Sequence, residues 1–170
     1  MTDPQTYTQE RSGRDLGLWR NGIAFYEEAS RLGLAPVVVS ADDEQLTTQA
    51  CQPLLDWLAA YPDRTHEMGV LLFARVKELH SHGICHRDLH DGNVLVRADG
   101  VPVFIDFDFA THGNPDAPCY DLYGPGPSRL PVPDAHAAQT GSRNANGAYW
   151  DNAEHRTLRE MFGPVTDFDR

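Results

Sequence analysis

Apolar positions in this chain form two stretches at helical spacing, each followed by runs with strand character. From Leu18 onward, Phe25, Ala29 and Leu32 share one face, with Asn21 as a cap for the start and Gly33 as the stop. The second stretch is the stronger: Met68, Leu72, Val76 and Leu79 repeat at helical spacing, Asp63 or Thr65 can cap it, and Gly83 marks its end. Between the two, Val37-Val38-Val39 and Leu46-Thr47-Thr48 read as short strands joined by a charged turn at 41–44. Leu54, Leu55, Trp57 and Leu58 predict a short helix closed before Pro62. Residues 94–97 and 101–105 read as the strands of a hairpin that turns at Ala98-Asp99-Gly100. The chain before Asp15 is polar and without period, and reads as a mobile tail. After Ala110 the composition shifts to Gly, Pro, Asn and Asp, so residues 111–147 are expected to be mostly loop. A last helix is expected over 151–162, stopped by Gly163-Pro164.

The hairpin carries the candidate chemistry. Closing it brings its open ends together, so Asn93 and Asp106 are expected to face each other across about 5 Å. One Mg²⁺ ion, which binds oxygens at about 2.1 Å, can bridge two such side chains. Asp88 precedes Asn93 in a loop tight enough to need Gly92, and can aim a further carboxylate, not itself a ligand, at whatever the metal holds. Such a set suits phosphoryl transfer: metal neutralises a polyphosphate, and a carboxylate orients an attacking hydroxyl and takes its proton.

The eight residues His86-Arg87-Asp88-Leu89-His90-Asp91-Gly92-Asn93 match the catalytic-loop pattern H-R-D-L-x-x-x-N at every defined position. Asp106-Phe107 match two of the three residues of D-F-G at a suitable distance. The chain thus resembles the protein-kinase-like superfamily. The resemblance implies an α+β fold with a tail at 1–17 and a reduced N-lobe at 18–52, consisting of one helix, two strands and a connector. It implies a mostly helical C-lobe-like region at 53–170, with the catalytic loop at 86–93, a metal motif at 106–108 and the loop-rich segment at 111–147. By the same resemblance Asp88 is the catalytic base, with Arg87 and His90 beside it, Asn93 and Asp106 hold Mg²⁺, and ATP is the phosphoryl donor. Glu28 matches the small-lobe glutamate that pairs with a strand lysine, although a solvated helix charge explains it as well. Residues 49–53 take the place of the connector whose backbone binds adenine, which puts Gln49 and Cys51 at the nucleotide. Asp121 superficially resembles the aspartate that anchors the catalytic loop from a lower helix.

Two parts of the pattern are missing. No G-x-G-x-x-G loop is present, and Lys77, the only lysine, follows the Glu28 helix instead of preceding it. Arg11 and Arg14 are poor stand-ins, since a planar guanidinium does not replace a compact ammonium and the tail around them does not read as a strand. The gaps point to a longer or split kinase, with a second chain supplying the absent strands, or to a reduced relative that binds without catalysing. Mg-ATP is then expected to bind the chain alone weakly, near the millimolar range. His90 stands where Ser/Thr-type protein kinases carry lysine, and Asp108 after the D-F pair fits small-molecule kinases of the aminoglycoside and choline type. Against this, Arg87 is the protein-kinase choice and can receive a phosphate on the following segment, where Thr111 is the candidate. The expected function is a Mg-ATP-dependent phosphotransferase acting on a hydroxyl. A Ser/Thr protein substrate ranks narrowly first, with a small-molecule kinase or a pseudokinase interaction module as alternatives.

Composition narrows the partners. The formal net charge of −11 argues against nucleic acid or an anionic membrane, because binding phosphate backbones needs a basic surface. No apolar run is long enough to span a bilayer, and Met1-Thr2-Asp3-Pro4-Gln5 is not a signal sequence. Cys51, Cys85 and Cys119 are odd in number and far apart, which suggests reduced thiols and a cytoplasmic location. His80, His82, Cys85, His86 and His90 are crowded, but their spacing matches no standard zinc finger. His80 and His82 also sit at a helix end that favours histidine electrostatically.

Overall fold

The computed structural model describes residues 5–113, 121 and 156–163. Most of the expected loop segment and the first part of the expected last helix lie outside these residues. The described chain mixes helices with three small antiparallel sheets, in keeping with an α+β kinase-like fold.

The polar tail is the first correction. Thr6–Glu10 forms strand β1, paired antiparallel with β3 (Gln45–Gln49), which in turn pairs with β2 (Val38–Ala41). β1 lacks the alternation that marks a half-buried strand, and four of its five positions are exposed. Its order comes from the partner: the ladder to β3 satisfies its backbone, and the Thr8 and Thr47 hydroxyls hydrogen-bond at 2.9 Å. A reversal over Arg11, Ser12, Gly13 and Arg14 follows, with Arg14 N–H donating to Arg11 O at 3.0 Å. Ser12 and Gly13 both have positive φ, the signature of a type I′ turn.

Helix α1 (Leu16–Arg31) starts earlier than Asn21 suggested. Asp15 is the cap, its carboxylate accepting from Leu18 N–H at 3.0 Å. The helix buries Trp19, Phe25, Tyr26 and Ala29, and Gly33 in the left-handed region turns the chain out of it. Leu34, fully buried, then accepts from Phe104 N–H at 2.8 Å, which ties the end of α1 to the hairpin.

β4 (Gln52–Pro53) leads into α2 (Leu54–Ala60), and a 3₁₀ turn at Pro62–Arg64 leads into α3 (Thr65–Ser81). Neither Asp63 nor Thr65 caps α3; Thr65 Oγ1 donates backwards to Pro62 O at 2.8 Å. Met68, Leu72, Val76 and Leu79 are all buried, as their spacing required, each contributing about 2 kcal/mol of apolar burial. α3 delivers β5 (Ile84–Cys85), which pairs with β8 (Thr111–His112).

The hairpin consists of β6 (Val94–Val96) and β7 (Pro102–Phe104), with β4 on its outer side. Its register sets Val94 against Phe104, and Ile105 N–H donates to Asn93 O at 3.1 Å. Asn93 therefore faces Ile105, not Asp106, because the ladder closes one residue earlier than a symmetric reading assumed. The last described helix, α4 (Leu158–Phe162), lays Phe162 over Gly69 of α3, where a Cβ would meet the ring at 2.8 Å. One apolar cluster joins Trp19 and Tyr26 of α1 to Leu72 and Phe73 of α3 and to Val94, Phe104 and Phe107. Among the described residues no helix is long and apolar enough to cross a membrane.

Candidate functional site

The loop after β5 is held from beneath by Asp121, whose side chain is completely buried. Its Oδ1 accepts from Arg87 N–H at 2.6 Å and its Oδ2 from His86 N–H at 3.0 Å. His80 Nε2, at the end of α3, lies 2.6 Å from Oδ2. These bonds hold Arg87 at φ +70, a conformation costly for a non-glycine residue. The sequence suggested this anchor only superficially.

His86 is fully buried and braces the loop against the hairpin. Its Nδ1 accepts from Asp88 N–H at 3.3 Å, so Nε2 carries the proton and donates to Ile105 O at 2.8 Å. Burial pushes its pKa down, in keeping with a neutral ring. His90 is also buried, and its Nδ1 accepts from Gly92 N–H at 3.0 Å. Asp91 and Arg156 N–H and C=O groups close the far side, with Asp91 N–H donating to Arg156 O at 3.1 Å.

Asp88 and Asn93 meet directly. The Asn93 amide nitrogen donates to Asp88 O at 2.8 Å and to Asp88 Oδ2 at 3.3 Å. Burial, then the charge of Asp106, pushes the Asp88 carboxyl well above the usual carboxylate range. Asp106 itself stands at φ +63. Its charge raises the pKa of both Asp88 and Asp108.

Asp108 lies against α1. A Cβ at Gly22 would come within 2.3 Å of its Oδ1 and 3.3 Å of its backbone, so only glycine permits this approach. Asn21 Nδ2 donates to Asp108 O and Ala110 O, both at 3.1 Å, which is the role this residue fills instead of capping. Burial, then repulsion from Asp106, pushes Asp108 up to about 7, against the opposing pull of Arg14. Arg14 Nη1 sits 3.0 Å from Asp108 Oδ2 and 3.4 Å from Asp106 Oδ1. Asn21, Gly22 and Arg14 lie nearly ninety or more positions from these partners, and no local signal reveals them.

Among the described residues no three His, Cys, Asp or Glu side chains are grouped so as to hold a metal ion. Mg²⁺ commonly takes one or two protein oxygens and fills its remaining positions with water and substrate phosphates. By the resemblance Asn93 and Asp106 are the candidates for such a pair. The histidines near the loop are engaged otherwise: His80 with Asp121, His86 with Ile105 and Asp88, His90 with Gly92.

A cavity of about 360 Å³ opens between the two larger sheets, with Tyr26, Thr48, Gln49, Cys51, Leu95 and Ile105 in its lining, Ile105 being the lining residue next to Asp106. Gln49 and Cys51 are thus brought together there. Gln49 N–H is committed to Val37 O at 2.9 Å, and Ala50 N–H to Gln5 O at 2.9 Å. Burial raises both the Tyr26 hydroxyl and the Cys51 thiol, so each is neutral near pH 7. Glu28 is not brought to this cavity. Its carboxylate lies 2.9 Å from His112 Nε2 on β8, and the His112 ring packs at a tilt against Phe25 with centroids 4.6 Å apart.

The carboxylates have a consequence for stability. In the unfolded chain aspartate titrates near 4, roughly its free value. Between about pH 4 and 7 folded Asp108 keeps a proton that the unfolded chain has released. The stability this proton contributes is complete below the unfolded value and lost as pH rises through about 7. Metal-free protein in chelator should therefore show a lower denaturation midpoint at pH 8 than at pH 5. Asp108→Asn should flatten that fall in part, since Asp88 titrates in the same direction. A midpoint that rises between these values would contradict the assignment.

No curated protein matches this chain. Residues 5–152, well over half of it, match the family model described as APH, phosphotransferase enzyme family. The match runs through β1, the loop around Asp88 and the hairpin to Asp106, so the chain belongs to this phosphotransferase family, a branch of the protein-kinase-like superfamily.

Proposed function

We propose that the chain transfers the terminal phosphoryl group of Mg-ATP to a hydroxyl of a small molecule. The observation that carries this reading is the contact of Asp88 with Asn93 at one end of the hairpin, with the charge of Asp106 acting on Asp88 and a cavity of nucleotide size reaching Ile105, the residue before Asp106. The purine would lie between Tyr26 and Leu95 and meet the backbone near Cys51, since the amides of Gln49 and Ala50 are committed. Asn93 and Asp106 would hold Mg²⁺, which supplies charge neutralisation for the phosphates. Asp88 accepts the proton of the acceptor hydroxyl as its oxygen bonds to the terminal phosphorus; the bond from that phosphorus to the bridging oxygen breaks, and ADP departs with the electron pair. His90 supports the loop through Gly92 and is read as a positioning residue, not as a phosphate contact.

A small-molecule acceptor is preferred over a protein on the state of Arg87. Its side chain is buried, 9% exposed, and its backbone is fixed by Asp121, so it offers no surface cation for a phosphate on a following segment. Thr111, the candidate phosphosite, is paired with Cys85 in β8. The test is acceptor-dependent ADP release by the full chain with Mg-ATP, using amino sugars, choline and simple polyols alongside acceptor proteins. Release with a small hydroxyl compound and no label on protein is the expected result. Stable label on a protein serine or threonine, with no small-molecule turnover, would reverse the assignment.

A further inference from the structure

The guanidinium of Arg14 has no part in phosphate transfer as described. Besides its contacts to Asp106 and Asp108, it meets the Gln9 side-chain oxygen at 2.8 Å from Nη2 and 2.9 Å from Nη1, in the amide orientation that satisfies both residues. The backbone beneath it is firmly held. Arg11 donates from its guanidinium to Arg14 O and to Asp43 O, both at 2.9 Å, and pairs with Glu44 at 2.8 Å. The Arg14 side chain, by contrast, is about one-third exposed and reaches the carboxylates on a long flexible stem. β1 and its type I′ turn also remove the objection that this segment lacks a strand to position it.

The electrostatics give this arrangement a direction. The charge of Asp106 acts on both Asp88 and Asp108, and Arg14, in contact with Asp106 and Asp108, offsets part of that repulsion at Asp108. A divalent cation on Asp106 offsets it more fully and leaves the guanidinium without its reason to stay. A planar guanidinium fork matches phosphate oxygens in bidentate fashion, so a polyphosphate arriving with the cation offers it new acceptors. We propose that Arg14 is an exchangeable cation: it neutralises Asp106 and Asp108 while no metal is bound, and passes to the phosphate oxygens when a divalent cation takes Asp106. The inference rests on the reading of Asn93 and Asp106 as the metal side of a phosphotransferase site.

The experiment is calorimetry on the full chain, titrating Mn²⁺ alone and then the Mg²⁺ complex of a non-hydrolysable ATP analogue. Arg14→Met should bind Mn²⁺ alone about threefold to tenfold more tightly than the parent, because a competing ion pair is gone. The same variant should bind the metal–nucleotide complex about tenfold more weakly, having lost a charge-assisted contact. Arg14→Lys, which keeps the charge, should stay within about twofold of the parent for Mn²⁺. Arg20→Met, which removes a charge from the exposed pair with Asp43, controls for net charge and should change neither titration. Movement of both affinities in one direction for Arg14→Met, or an unchanged nucleotide affinity, overturns the exchange. Parent protein that binds neither titrant defeats the phosphotransfer reading with it, whereas a parent that binds both while Arg14→Met behaves like Arg20→Met defeats the exchange alone.

Discussion

Asp88→Asn should leave the protein folded and lower phosphoryl transfer by roughly 10²–10⁴-fold, the contribution of a positioned acid–base group. The fold should tolerate the change because Asp88 is buried among other acids and its ionised form is disfavoured already. Asparagine keeps an oxygen for the Asn93 amide and removes the repulsion with Asp106, so the melting temperature should hold or rise. Transfer fails for a different reason: the amide cannot accept the hydroxyl proton. In the parent, activity should climb with pH as Asp88 loses its proton, and that climb should vanish in the variant. Single-turnover rates and thermal melts on the same preparations separate the two effects. Undiminished transfer in Asp88→Asn would place the base elsewhere, and a large drop in melting temperature would mean that the carboxylate is structural.

The half of the site that follows α3 was legible because its signals are local. The apolar spacing of α3, the Gly83 stop and the two short strands around Gly100 each constrain their own neighbourhood, and the loop between them carries its chemistry in consecutive residues. The half supplied by residues 5–22 was not legible. β1 is a strand because β3 pairs with it, and its Thr-Tyr-Thr-Gln-Glu run shows no alternation to betray that. Asn21 reads as a helix cap on its own, and becomes a clamp on Asp108 and Ala110 only when α1 packs against them. The segment around Arg14 does not read as a strand, and the strand that positions it is the unreadable one, although a guanidinium still differs from the compact ammonium it would replace. Even in the hairpin, the register departs from the symmetric reading: the ladder closes at Ile105, which puts Asp106 out of line with Asn93 at a positive φ.

Asp121→Ala should cost about 3–5 kcal/mol of stability, the range for removing one partner from a buried, fully hydrogen-bonded charge. Its carboxylate is fully enclosed and receives the backbone N–H groups of His86 and Arg87. Alanine would leave both donors buried without an acceptor, each such loss being worth about 1–3 kcal/mol. For a domain of this size the melting temperature should fall by roughly 6–20 °C. Stability is only part of the effect. Arg87 adopts a strained backbone that these bonds hold, and Asp88 is the next residue, so releasing the anchor should displace the base. Transfer measured well below the melting transition should therefore fall by at least about tenfold, from misplacement alone. His80→Ala gives the graded comparison. It removes one of the three groups on Asp121 but spares both backbone bonds, so it should cost only about 1 kcal/mol and leave transfer nearly intact. Equal losses for the two variants would show that His80, not the loop backbone, is what Asp121 serves. A drop of under about 2 °C for Asp121→Ala would show that the loop holds its shape without the anchor.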